Sequence, residues 1–128
     1  MSTKIKKMLI EDVMTKDVIT VQENDAVSVF KDYFDARLIH HLIVENDKAK
    51  ISGIISSSDI SNVLSWAFDD KITAEQLMSK DIQTINPKDS IKSALKIFLK
   101  NQVRALPVVD SANNILGIIT PYDILRIV

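Results

Sequence analysis

Two heptapeptides hold the residue types best suited to chemistry: Gly53-Ile-Ile-Ser56-Ser-Ser-Asp59 and Gly117-Ile-Ile-Thr120-Pro-Tyr-Asp123. Each sets a hydroxyl three residues before a carboxylate, after an apolar run that reads as a strand and before a helical pattern. At such a corner this spacing has two uses. The hydroxyl can cap the helix while the carboxylate returns a bond, with Pro121 in the favoured first helical position. Alternatively, the helix start offers N–H groups to an anion such as phosphate, and the hydroxyl adds a bond. The aspartate one turn on then accepts from the vicinal hydroxyls of a ribose. The glycine upstream lets a base or sugar approach the backbone closely. The two uses are compatible, and both stay open.

Other chemistries find little to build on. There is no cysteine, hence no disulfide frame and no thiolate nucleophile. No serine, histidine and acid constellation occurs at recognisable spacing, and there is no glycine-rich P-loop, so an enzyme is not expected. His40 and His41 are adjacent on a strand and point to opposite faces, with no acidic or histidine cluster beside them, so no metal site is expected. A formal charge of −1 gives no general attraction to nucleic acid, and Lys4, Lys6 and Lys7 read as a solvated end. The apolar runs are far shorter than a membrane span and no secretory core is seen, so a cytoplasmic protein is the expectation.

The elements that must position the two heptapeptides are themselves written twice. Residue i corresponds to residue i+64 without insertion, with identical pairs at Met14 and Met78, Asp17 and Asp81, Phe34 and Phe98, Gly53 and Gly117, and Asp59 and Asp123. Repeats 1–64 and 65–128 are each near the size where one core becomes marginal, so they are expected to share one compact module. Short β-branched runs predict strands at Val18–Val21, Leu42–Val44 and Ile51–Ile55, and at Ile82–Ile85, Leu106–Val109 and Ile115–Ile119. Helical periodicity places Val27, Phe30 and Phe34 after Asn24 or Asp25, and Ile91, Ala94, Leu95 and Phe98 after a capping Asp89. Ile60, Val63 and Leu64, and Ile124, Leu125 and Val128, predict the last helix of each half. Thr73 with Gln76, flanked by Ile72 and Leu77, predicts a short capped lead-in helix to repeat 2, with residues 5–14 as its counterpart in repeat 1.

This pattern of VMTKDVITV, an apolar helix, LPVVD and GIIT or GIIS with aspartate three later resembles a tandem pair of cystathionine β-synthase (CBS) domains, a Bateman module. The likeness covers residues 11–64 and 75–128. It implies an α/β, pseudo-two-fold pair in which each repeat is a short lead-in helix followed by strand-helix-strand-strand-helix. It further implies two clefts for adenosine-containing ligands such as AMP, ADP, ATP or S-adenosylmethionine. One would combine Ile19, Ile39 and His40 with Ile118, Thr120 and Asp123; the other Gln83, Val103 and Arg104 with Ile54, Ser56 and Asp59. Apolar walls suit adenine faces and strand backbone groups suit its edge, and Arg104 suits a phosphate.

Two departures make the clefts unequal: Gln83 stands at the place of Ile19, and Ile43 stands where repeat 2 has Pro107. The functional expectation is a non-catalytic sensor that needs no cofactor, binds its nucleotide as a regulatory ligand and signals to a separate protein partner. The alternative is a structural or assembly module with unoccupied clefts, in which the hydroxyl and aspartate pairs are caps. The family likeness also implies a homodimer through helices, to which Trp66 and Phe68 could contribute.

Overall fold

The 64-residue echo in the sequence becomes an echo of elements in the computed structural model, which describes residues 3–35, 39–64, 72–101 and 103–128. In chain order these are α1 (Thr3–Lys6), α2 (Ile10–Val13), β1 (Thr20–Gln22), α3 (Val27–Asp35), β2 (His41–Glu45), β3 (Ile51–Ser56), α4 (Ser57–Leu64), α5 (Ala74–Leu77), α6 (Ile91–Asn101), β4 (Leu106–Val109), β5 (Ile115–Ile119) and α7 (Pro121–Leu125). Trp66 and Phe68 lie outside the described residues. Among the described residues no helix is long and apolar enough to cross a membrane.

The elements gather into two compact units whose borders cut across the repeat. One is continuous, Ile19–Ile82; the other is discontinuous and joins Met1–Val18 to Gln83–Val128. Each body thus carries the lead-in written before the other body. In the discontinuous unit, Ile10 N–H donates to the Asp89 carbonyl (2.9 Å) and Glu11 N–H to that of Pro87 (3.0 Å), while Thr15 and Ile118 exchange two bonds of 2.9 Å. The continuous unit repeats this at the 64-residue offset: Ala74 to Asp25 (2.8 Å), Glu75 to Glu23 (3.0 Å), and a two-bond exchange between Ser79 and Ile54. Apolar burial seals each joint. Ile10 and Val13 join Ile91, Leu106, Val108 and Ile119 in one core, and Ala74 joins Val27, Phe30, Leu42, Val44 and Ile55 in the other. An exposed pair adds to the first joint: Lys88 Nζ lies 2.7 Å from Glu11 Oε1, and that hydrogen bond raises the Lys88 pKa.

The sheets differ, and proline is the reason. In the continuous unit β1 runs parallel to β2, which pairs antiparallel with β3. Among the described residues of the discontinuous unit only β4 and β5 pair as strands; the strand expected over Ile82–Ile85 shrinks to a single bridge between Ile85 and Val108. The parallel ladder of the first half uses Ile43 N–H to the Ile19 carbonyl (3.2 Å) and Glu23 N–H to that of Glu45 (3.1 Å). Their equivalents are Pro107 and Pro87, which have no N–H to give.

Caps follow the same accounting. Helix α6 is capped by Ser90, whose hydroxyl accepts from Ser93 N–H at 3.2 Å; Asp89, the expected cap, instead accepts from Asn86 N–H at 3.2 Å in the preceding turn. Asp25 does the same for Gln22 N–H at 2.8 Å, and Ala26 occupies the cap position of α3. Short α5 is capped as its sequence predicts. Thr73 and Gln76 bond reciprocally at 3.4 and 3.0 Å, and Ile72 and Leu77 pack on the same core.

Candidate functional site

Thr120 follows β5 in extended backbone (φ −126°, ψ 164°) and caps α7. Its hydroxyl accepts from Asp123 N–H at 3.4 Å, while Thr120 N–H (2.9 Å) and the Thr120 hydroxyl (3.3 Å) donate to Asp123 Oδ2. The other carboxylate oxygen, Oδ1, accepts from Arg126 Nη2 at 2.7 Å and from the Thr15 hydroxyl at 3.1 Å. Asp123 is the buried charge of this unit, 4% exposed. Four donors over two oxygens satisfy the hydrogen-bonding capacity of this buried carboxyl group. Arg126 also lies over the Tyr122 ring, 5.4 Å from its centroid.

The equivalent corner of the continuous unit is more exposed. Ser56 N–H (2.8 Å) and the Ser56 hydroxyl (3.0 Å) both donate to Asp59 Oδ2, and Asp59 N–H reaches the Ser56 hydroxyl at 3.3 Å. Ser58 adds a hydroxyl contact of 2.8 Å to Ser56. Asp59 is half-buried, and among the described side chains none donates to its Oδ1. Both corners are therefore capping boxes, and both spend most of their first-turn N–H groups internally. Pro121 has none, Asp123 and Asp59 give theirs to the cap hydroxyl, and Ser57 gives its own to the His40 carbonyl at 2.9 Å. Anion capture by these helix starts is accordingly narrower than the sequence suggests, and the carboxylate oxygens become the more distinctive feature.

The glycines serve a purpose other than the expected approach of a ligand. A Cβ on Gly53 would overlap Met78, and one on Gly117 would come 2.7 Å from the Thr15 carbonyl and 2.8 Å from Met14 Sδ. What comes close to the backbone is the methionine of the lead-in segment. Likewise the backbone N–H groups of Ile54 and Ile118 are bonded to Ser79 and Thr15, so these strand residues have no spare N–H for an adenine edge, while their carbonyls each accept one bond and retain a second lone pair.

The remaining sequence-derived residues fall as follows. Ile19, Ile39, His40, Ile54, Ser56 and Asp59 belong to the continuous unit; Gln83, Val103, Arg104, Ile118, Thr120 and Asp123 belong to the discontinuous one. In the first, the ladder sets Ile19 beside Ile43 and Ile43 beside Ile54, and the His40 carbonyl sits at the start of α4. Ile19 and Ile39 are half-buried against the core, while the His40 side chain is exposed. In the second, Gln83 Oε1 accepts from Asn101 Nδ2 at 2.8 Å, Val103 packs on the core and Arg104 is exposed. Among the described residues no group of three or more His, Cys, Asp or Glu is placed to hold a metal ion. Sequence reading missed Thr15 and Arg126. The signal for Arg126 was its place one helical turn after Asp123; for Thr15 it was a hydroxyl at the same place in both repeats, Ser79 being the other.

Comparison with known proteins places these corners in a family. The CBS domain matches residues 10–65 and 74–128. The chain is 34% identical over 113 residues to a homoserine O-acetyltransferase of Methanocorpusculum labreanum, covering 88% of this chain and 23% of that protein. It is 35% identical over 127 residues to the uncharacterized protein MJ1232 of Methanocaldococcus jannaschii, covering 98% of this chain and 41% of that protein. The chain thus spans about a quarter to two fifths of these curated relatives. Among solved structures, the CBS domain pair of protein MJ0100, in complex with 5′-methylthioadenosine and S-adenosyl-L-methionine, superposes with a TM-score of 0.82 at 28% identity over 94% of both chains. The putative acetoin utilization protein AcuB of Vibrio cholerae shares the fold, with a TM-score of 0.80 at 24% identity over 94% of this chain and 89% of that one. Two matched repeats, the recurring hydroxyl and aspartate corner and this superposition together show that the chain belongs to the CBS-domain family, as a tandem pair.

Proposed function

We propose that this chain is a non-catalytic sensor whose two hydroxyl and aspartate corners bind adenosine-containing ligands, and whose bound state is read by a separate protein partner. The observation that carries this reading is the corner itself, present twice, on a chain 28% identical over 94% of its length to a CBS pair holding two adenosine compounds. Ser56 and Thr120 offer hydroxyls beside Asp59 and Asp123, and a carboxylate suits the two vicinal hydroxyls of a ribose. S-adenosylmethionine and 5′-methylthioadenosine head the candidates, followed by AMP, ADP and ATP; no cofactor is required. Signalling follows from differential affinity: a ligand that prefers one arrangement of the protein shifts its population, and a partner that prefers the same arrangement responds. The enzymatic relatives are matched over about a quarter of their length, so their catalysis is not carried over. A homodimer in the cytoplasm completes the proposal.

The completeness of both capping boxes favours a second reading, a structural or assembly module that leaves the corners unoccupied. A thermal-shift panel of AMP, ADP, ATP, NADH, 5′-methylthioadenosine and S-adenosylmethionine separates the two. A ligand at a hundred times its Kd adds about 2.7 kcal/mol, a rise of roughly 10 °C for a chain of this size. Asp59→Ala and Asp123→Ala each remove the response of their own corner. No shift with any compound overturns the sensor in favour of the assembly module.

A further inference from the structure

We infer that Arg126 is an internal competitor for the ligand at the Asp123 corner, and that its displacement from Asp123 Oδ1 is the step by which that corner opens. The inference rests on the nucleoside reading above and goes beyond it by naming a residue that sets affinity. An ionised carboxylate accepts at about four positions, and Asp123 has four donors: Thr120 N–H and hydroxyl on Oδ2, Arg126 and the Thr15 hydroxyl on Oδ1. A ribose hydroxyl therefore enters only by replacing one of them. The two Thr120 bonds belong to the cap that starts α7, so breaking them disturbs the helix. The Thr15 hydroxyl stands next to backbone bonds that hold the lead-in to β5. Arg126 is the donor most easily released: its side chain is 56% exposed against 5% for Asp123, so the freed guanidinium is rehydrated while the carboxylate exchanges one donor for another. Tyr122, with the guanidinium 5.4 Å from its ring centroid, offers a resting place on the same helix. Asn62 occupies the equivalent place in the first repeat, so the Asp59 corner has no guanidinium at that position.

The test measures binding by calorimetry in an Asp59→Ala background, which leaves the Asp123 corner to be read alone. Adenosine is the probe, uncharged so that its own attraction to arginine does not intervene. Arg126→Met keeps the apolar stem and removes the competitor; adenosine affinity is expected to rise about fivefold. Arg126→Lys restores a cation and is expected to return affinity towards the parent value. 2′,3′-Dideoxyadenosine, which lacks the entering hydroxyls, is expected to gain nothing from Arg126→Met. Equal or weaker adenosine binding by Arg126→Met overturns the competitor and leaves the nucleoside reading standing. A gain shared by the dideoxy compound also overturns it. Binding by neither protein at millimolar adenosine overturns the nucleoside reading and the competitor together.

Discussion

Asp123 and Asp59 hold the same place in the repeat, yet one receives donors on both carboxylate oxygens and the other, among described side chains, on one. The shared part comes from the shared heptapeptide: hydroxyl, three-residue spacing and capping geometry recur because the backbone at a strand-to-helix corner demands them. The difference comes from residues outside it. Thr15 arrives on the lead-in and Arg126 one turn later, where the continuous unit has Ser79 and Asn62. Duplication thus preserves what the backbone needs, and the residues around it are where the two corners acquire different hydrogen-bond partners.

The largest expected effect probes how each corner is buttressed. Gly117→Ala drives a Cβ against the Thr15 carbonyl, a backbone atom, and is expected to cost about 3 kcal/mol in urea unfolding. Gly53→Ala meets the Met78 side chain as its nearest neighbour and is expected to cost about 2 kcal/mol. A double-mutant cycle sharpens the contrast: Met78→Ala should recover about 1 kcal/mol of the Gly53→Ala loss, and Met14→Ala less of the other. Equal recovery in both units would show that the lead-in backbone gives way as easily as a side chain.

A smaller effect tests the sheets. Glu23→Pro copies Pro87 into the first repeat and removes the donor to the Glu45 carbonyl, at an expected cost of about 1 kcal/mol. Amide exchange at Val21 and Gln22 should quicken as β1 frays towards the single bridge seen at Ile85. Unchanged exchange would refute the account in which the prolines, rather than the side chains of residues 82–85, decide the strand.

The smallest effect lies in the hairpin turns. Ala49 and Asn113 are equivalent and both left-handed, with φ of 60° and 67°. Asparagine tolerates that region better than alanine. Ala49→Asn is therefore expected to raise stability by about 0.5 kcal/mol, and Asn113→Ala to lower it by a similar amount. A common sign for the two substitutions would break the equivalence.

Most of the architecture was legible because apolar periodicity and the 64-residue offset report on the same elements independently. Ile91, Ala94 and Phe98 face the core of their unit as their spacing requires, and the Thr73 capping box stands as written. The missing strand was readable in principle, since Pro87 and Pro107 announce two absent donors, but only once the register is known. Ser90 displaced Asp89 as a cap because both types cap well and one residue of chain decides which hydroxyl or carboxylate reaches the N–H. Which body each lead-in docks on was not legible. Ile10, Val13 and Met14 match Ala74, Leu77 and Met78 closely enough that either body could receive either segment by pattern alone. Of the site, the hydroxyl and aspartate were visible and their loading was not, because Thr15 and Arg126 lie outside the motif.

The crossed lead-ins also impose an order on synthesis. The continuous unit has all of its parts once residue 82 has been made, and its contacts span at most the length of one repeat. The discontinuous unit begins at the first residues and finishes at the last: Thr15 meets Ile118 and Asp123 only after more than a hundred further residues have been added. As the ribosome works, residues 1–18 wait without their partner while the second unit to be started becomes the first to be complete. Ile10 and Val13, fully or nearly fully buried in the finished protein, are the apolar surface held open during that interval.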